Sequence, residues 1–149
     1  MVVKATGIVV SAGLAATGAL HAVWMRSPWP LASRAEFADA VVGVGEERAP
    51  TPAMCAGVAG LLGVAAALVG ARAGALPAVG PAWSAKAGSA VASGVLLARG
   101  LGGPVLYGSG RIARTERFVR LDRRYYSPLC VALGAGAALV AVRGRGGSA

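Results

Sequence analysis

Four apolar runs, separated by shorter polar segments, constrain this chain more than any other feature. A helix needs about 20 residues to cross the hydrocarbon layer of a bilayer. The runs come close to that length and occupy residues 5–25, 52–71, 83–101 and 127–142. The third run carries Lys86 and Arg99 near its two ends, where long cationic side chains snorkel to the interface. The sequence therefore predicts a single all-α integral membrane domain over residues 1–149, a four-helix bundle.

The first run has a competing interpretation as a cleavable signal peptide. It has no charge between Lys4 and Arg26, which makes it long for the apolar part of a signal peptide. Its exit, Leu20-His21-Ala22, is not a small-residue cleavage site. A retained span is the favoured prediction.

The composition excludes several classes of protein. Hydrophobic residues make up 56% of the chain and charged residues 14%, whereas an ordinary soluble domain is roughly a quarter charged. The mean hydropathy is +0.63. A soluble enzyme, a secreted disulfide scaffold and a disordered tail are all inconsistent with these values.

The basic residues predict the orientation. The first and third loops carry ten Lys or Arg residues, and the N-terminus, second loop and C-terminal tail carry five, which together make the 15 of the chain. The positive-inside rule then places the first and third loops in the cytoplasm and both termini outside. The abundance of Arg, Ala and Gly is typical of a GC-rich bacterial genome, so we expect a multi-pass protein of the bacterial inner membrane.

The third loop is the most basic segment, with an arginine at every third position from Arg111 to Arg123. A voltage-sensing helix has this spacing, but polar residues such as Thr115 and Glu116 stand where a sensor needs apolar pairs. The aromatic residues beside the arginines fit an interfacial belt, so no nucleic acid partner is expected. We predict a basic loop helix between spans three and four, whose arginines at 111–124 contact anionic lipid headgroups. A protein partner or a homo-oligomer stays open.

Polar side chains gather near the membrane face of the first and third loops. Alternating topology brings a candidate interfacial cluster to this level: His21, Trp24, Arg99, Asp122, Tyr125, Tyr126 and Cys130. Such groups could support proton transfer, ligand binding or redox chemistry. Ordinary packing, local ion pairs and membrane anchoring explain the same residues. We expect Ser127 to cap span four and Pro128 to occupy its first turn.

No catalytic residue, metal site or cofactor is predicted. One histidine and two distant cysteines fall short of a metal-ligand set, and we expect Cys55 and Cys130 to be free thiols. The glycines at 100–103 precede a proline, which favours a flexible exit from span three over a phosphate-binding loop. Pairs of small residues four apart, such as Gly7 with Ser11, favour close packing inside the bundle over a dimerisation motif.

Several of these residues resemble a known family. The resemblance rests on His21-x-x-Trp24, on Phe37-Ala38-Asp39 in the first loop, and above all on the Phe118…Leu121-Asp122…Tyr126-Ser127-Pro128-Leu129-Cys130 signature. This pattern is similar to a family of small bacterial membrane proteins catalogued as domain of unknown function 3995. The resemblance implies an integral four-span protein and carries over no catalytic assignment.

Three functions remain for a chain of this kind. The favoured one is a non-enzymatic bundle that binds a lipid, a small hydrophobic ligand or a protein partner. The alternative is a membrane-embedded enzyme or redox protein that uses His21, Asp122, Tyr125 and Cys130. A channel or transporter ranks last, because the spans offer only Ser and Thr at mid-depth.

Overall fold

The computed structural model describes residues 1–78 and 80–144. In these ranges the chain forms six α-helices: α1 (Val2–Trp24), α2 (Arg34–Phe37), α3 (Pro52–Arg72), α4 (Ala82–Gly108), α5 (Glu116–Leu121) and α6 (Ser127–Arg143). A π-helical turn, Ala38–Val42, extends α2, and another, Asp122–Tyr126, joins α5 to α6. A short 3₁₀ turn, Glu46–Arg48, precedes α3.

Four helices, α1, α3, α4 and the continuous stretch from α5 to α6, are long and apolar enough to cross a membrane. They form a bundle in which α1 pairs with α3 and α4 pairs with α6, and the two pairs pack side by side. This arrangement confirms the predicted all-helical class and is compatible with a multi-pass membrane protein. The basic loop helix predicted between spans three and four is α5.

The interior of the bundle consists of small and medium apolar side chains. Val10, Leu14, Val69, Ala137 and Val140 form its buried centre. Many larger apolar side chains on the long helices point outward instead, including Val9, Leu61, Val64, Val91, Val95 and Leu101. A soluble protein rarely leaves so much apolar surface exposed, whereas lipid tails cover it at no cost.

Small residues let the helices approach closely. A side chain at Gly88 would meet Leu68 of α3, and one at Gly134 would meet Leu97 of α4. Ser93 strengthens the α4–α6 contact, because its hydroxyl donates to the carbonyl of Gly134 at 2.9 Å across the interface. These small residues therefore serve internal packing, as the sequence predicted.

The third span is longer than predicted, and the prediction of a flexible exit at residues 100–103 was wrong. This glycine-rich stretch is helical and α4 continues through Pro104 to Gly108. A Cβ atom at Gly100 would lie 2.8 Å from the carbonyl oxygen of Ser127 and 2.9 Å from the amide nitrogen of Val131. Glycine is thus required here for the close approach of α4 and α6, and not for flexibility.

Ser127 does not cap α6, which corrects a second prediction. The chain enters α6 directly from the π-helical turn, so the first residues of α6 already lie in a continuous helix. A capping side chain has no free amide to satisfy in that position. Pro128 does lie in the first turn of α6, as predicted.

Candidate functional site

A buried ion pair links α4 to the beginning of α6. Asp122 is only 1% exposed, and its Oδ1 accepts a hydrogen bond from Nη2 of Arg99 at 2.5 Å. Its Oδ2 accepts from the hydroxyl of Ser127 at 2.8 Å. The hydroxyl oxygen of Ser127 in turn accepts from Nη1 of Arg99 at 3.3 Å. Both carboxylate oxygens of Asp122 are therefore engaged within this triad.

The depth of the triad explains why the two charges pair. Arg99 lies 17 residues after Ala82 (99 − 82), which places it about 25 Å along α4. If α4 enters a hydrocarbon layer about 30 Å thick at its first residues, Arg99 lies near the opposite edge of that layer. A charge at that depth is costly unless a partner neutralises it. Asp122 and Ser127 supply that partner for Arg99.

Aromatic rings cover the outer side of the triad. The guanidinium carbons of Arg99 and Arg114 lie 5.4 Å and 5.3 Å from the centre of the Tyr107 ring. Tyr107 contacts the buried Phe118 edge to face at 5.3 Å, and Phe118 contacts Tyr126 at 6.0 Å. The end of α4, α5 and the turn before α6 thus form one packed layer above the bundle.

The first loop docks on this layer through opposite charges. Nη2 of Arg117 lies 2.8 Å from Oε1 of Glu36, and Nη1 lies 3.7 Å from Oδ2 of Asp39. The hydrogen bond from Arg117 holds the pKa of Glu36 below its usual value, and a second bond from the amide of Ala32 acts in the same direction. The two loops therefore fold together on one face of the bundle.

Hydrogen bonds from side-chain hydroxyls to backbone carbonyls also hold the first loop against the third loop. The hydroxyl of Thr115 donates to the carbonyl of Asp39 at 2.9 Å, and that of Tyr126 donates to the carbonyl of Ala40 at 3.1 Å. Gly43 has a φ of 79°, and the ring of Phe118 occupies the place that its Cβ would take. Only glycine suits both the conformation and the contact.

The residues of the predicted interfacial cluster separate into two places. Arg99 and Asp122 meet, and Tyr126 packs beside them through Phe118. His21 and Trp24 lie instead at the end of α1, with ring centres 4.8 Å apart, and Trp24 packs on Phe37 at 5.1 Å.

Of the last two members of the cluster, Tyr125 lies outside both groups, whereas Cys130 lies within electrostatic range of Arg99 and Asp122. Tyr125 is exposed, with the Arg124 guanidinium carbon 5.4 Å from its ring centre. Cys130 is half-buried in α6 and Cys55 is buried in α3, and both are free thiols. Across the two described ranges, no group of three His, Cys, Asp or Glu side chains is placed to hold a metal ion.

Sequence reasoning missed several contributors. It placed Ser127 at a helix cap and did not pair Arg117 with Glu36. The available signal was the charge of the two loops, because acidic residues concentrate in the first and arginines in the third. Opposite charges on one membrane face favour contact.

A cleft of about 590 Å³ opens between α4 and α6, beside the triad. Its walls are mostly apolar, and its lining comprises Gly100, Pro104, Val105, Arg123, Ser127, Pro128, Val131 and Ala132. Arg123 supplies the one charged lining side chain, and its guanidinium rests on Gly108 of α4. The cleft can therefore accommodate an elongated apolar group with an anion at one end.

Comparison with known proteins gives a family. The family described as "Protein of unknown function (DUF3995)" matches residues 14–137, which is most of the chain. The chain belongs to this family. The match begins within α1 and ends within α6, and it includes all of α3 and α4 and both parts of the docked loop layer. No curated protein and no solved structure matches the chain.

Proposed function

We propose that this protein is a non-enzymatic bundle of the bacterial inner membrane that binds an anionic phospholipid in the α4–α6 cleft. The observation that carries the proposal is the uncompensated Arg123 at one end of that apolar cleft. In the part of the chain that the structure describes, Arg123 forms no ion pair and no hydrogen bond. The neighbouring carboxylate of Asp122 does not compensate this charge, since it pairs with Arg99.

The cleft has the size of a small-molecule site, enough for part of a lipid such as one segment of an acyl chain and the phosphate. Its volume of about 590 Å³ lies within the range typical of small-molecule sites, roughly 300–1,000 Å³. Val105, Val131 and Pro128 offer apolar contacts for an acyl chain, whereas Arg123 offers charge-assisted hydrogen bonds to a phosphate. An anionic amphiphile satisfies both requirements at once.

The surrounding charge supports the same ligand. The described cations of the first and third loops outnumber the acidic residues there, and the two loops pack on one face. Basic segments beside a membrane are attracted to anionic headgroups by about 1 kcal/mol per Lys or Arg. With this face on the cytoplasmic side, both termini lie outside.

The hydrogen bonding of the polar residues favours binding over catalysis. Asp122 uses both carboxylate oxygens within the triad, and the hydroxyl of Tyr126 donates to a backbone carbonyl. A general acid or base must exchange protons with a substrate, and these groups are committed to structural bonds. The triad thus holds α4 against the beginning of α6, and this contact sets the shape of the cleft between them.

A lipid titration of the purified protein tests the proposal. We expect phosphatidylglycerol, added to protein in neutral detergent, to raise the melting temperature more than phosphatidylcholine does. A ligand at 100 times its Kd adds about 2.7 kcal/mol of stability, which corresponds to roughly 5–10 °C for a chain of this size. Native mass spectrometry should show one bound phosphatidylglycerol retained.

Matched variants separate the cleft from the basic surface. Arg123→Ala should lose most of the phosphatidylglycerol effect, and Ala132→Phe should lose it by filling the cleft. Arg120→Ala removes the same charge from an exposed side chain that pairs with Glu116, and it should retain the effect. An equal loss in Arg120→Ala and Arg123→Ala would show that the whole basic surface, and not the cleft, attracts the lipid.

A further inference from the structure

A second cleft lies at the other side of the loop layer, where the end of α1, the first loop and the beginning of α3 meet. Its volume is about 180 Å³, and none of its lining residues is charged. His21, Trp24 and Phe37 form one wall, and Cys55 and Val58 of α3 form the opposite one. This cleft shares no lining residue with the α4–α6 cleft.

The aromatic wall is held in place by its own contacts. The rings of His21 and Trp24 meet edge to face, and Trp24 packs on the buried Phe37. The indole Nε1 of Trp24 donates to the carbonyl of Trp29 at 2.9 Å, so its only polar group is already satisfied. The wall therefore offers fixed apolar ring surfaces to a ligand.

His21 supplies an unused nitrogen acceptor to the cleft. Its Nδ1 lies 2.9 Å from the carbonyl oxygen of Thr17, one turn earlier in α1. Because a carbonyl oxygen only accepts, Nδ1 must carry the proton of this bond. In the neutral ring Nε2 is then an acceptor, and within the described residues it has no partner. A ligand that donates a hydrogen bond would satisfy it.

Size and access narrow the ligand class further. An engineered apolar cavity of about 150 Å³ in another protein holds a single benzene ring, so a cleft of about 180 Å³ suits one ring with a small substituent. Met54 and Val58, on the α3 side of the cleft, are 60% and 40% exposed on the outer surface of the bundle. A ligand dissolved in the lipid phase can enter from that side.

We propose that this cleft binds a lipid-soluble phenol. Its ring lies between the aromatic wall and α3, and its hydroxyl donates to Nε2 of His21. No lining residue is charged, and the neighbouring cation, Arg34, already donates to the carbonyl of Pro50 at the edge of the cleft. An ammonium ion is disfavoured, because this cation would repel it and no lining carboxylate would compensate its desolvation. This site uses residues other than those of the proposed phospholipid site, so a failure of one proposal does not affect the other.

Nitrogen-15 NMR of the imidazole tests the geometry directly, because His21 is the only histidine of the chain. Protein labelled on histidine, in detergent at alkaline pH, should show a protonated Nδ1 and an unprotonated Nε2. Added phenol should shift the Nε2 resonance in the direction of hydrogen-bond acceptance, and benzene should not. We expect phenol to bind roughly fivefold to tenfold more tightly than benzene, the effect of one hydrogen bond.

Two variants complete the experiment. Val58→Phe should fill the cleft and abolish the phenol shift while the tautomer of His21 stays the same. His21→Phe keeps a ring in the wall but removes the acceptor, and it should bind phenol and benzene equally well. A protonated Nε2 in the native protein, or a preference for phenol that survives in His21→Phe, would overturn the proposal. So would equal responses to phenol and benzene in the native protein.

Discussion

Replacing Asp122 by alanine should be among the most damaging single changes in this protein. The substitution removes the partner of Arg99 and the acceptor for the Ser127 hydroxyl. Breaking a buried ion pair by removal of one partner costs about 3–5 kcal/mol. The Arg99 side chain is 32% exposed, so its charge regains some solvation. We therefore expect a loss of free energy of unfolding at or just below the lower end of that range, about 2–3 kcal/mol.

Asp39→Ala is the matched control, because it removes the same group from the first loop. Asp39 lies 3.7 Å from Arg117, its side chain is 37% exposed, and Arg117 keeps Glu36 as a closer partner. Exposed pairs of this kind contribute at most about 1 kcal/mol. The two variants should thus differ by roughly 1–2 kcal/mol or more.

Thermal unfolding in detergent measures this difference. A loss of about 2–3 kcal/mol lowers the melting temperature of a chain of this size by roughly 4–12 °C. The double variant Arg99→Met with Asp122→Leu removes both charges, and it should be less destabilised than the sum of the two single changes. Equal melting temperatures for Asp122→Ala and Asp39→Ala would refute the reasoning, as would strict additivity in the double variant.

Three further predictions concern packing, pH and topology. Gly100→Ala should destabilise the bundle by about 1–3 kcal/mol, because its Cβ would press on the backbone of α6. Gly57→Ala, in the interior of α3 with open space around it, should raise stability slightly in the same melting assay, by at most about 1 kcal/mol. Glu36 has a lowered pKa when folded, so its contribution to loop docking is present above the unfolded value near 4.5 and disappears as the pH falls through the folded pKa. The protection of the first-loop amides, measured as the ratio of the intrinsic to the observed exchange rate at each pH, should fall over that acid range in the native protein and should not fall in Glu36→Gln. A reporter enzyme that folds only outside the cytoplasm should be active when fused to the C-terminus. A reporter that is active only in the cytoplasm should be inactive there, and its activity would reverse the proposed orientation.

The fold class could be derived from the sequence because it depends on local properties. A lipid layer requires about 20 consecutive apolar residues in a helix, and each of the four runs meets or approaches that requirement on its own. The belt of aromatic residues and the basic third loop follow from composition in the same way. The family signature around Asp122 also lies in one continuous segment, so it is visible without a structure.

The partners of the site residues depended on tertiary structure. Asp122 has Arg123 and Arg124 beside it in sequence, yet it pairs with Arg99, which lies 23 residues earlier. Because α4 packs against α6, Arg99 lies within hydrogen-bond distance of Asp122. Arg123 instead lines the α4–α6 cleft. Sequence distance gave no reason to prefer one arginine over another.

The ends of the helices show the same division. A glycine-rich stretch before a proline is typical of a helix end, but residues 100–103 are helical because α6 packs closely against them. The sequence predicted His21 as an interfacial residue, whereas its unpartnered Nε2 follows from the bond between Nδ1 and the Thr17 carbonyl in the folded helix. Hydrophobic length is a property of one segment, and it determined the spans. Close approach and hydrogen-bond pairing are properties of two segments at once, and only the folded bundle decided them.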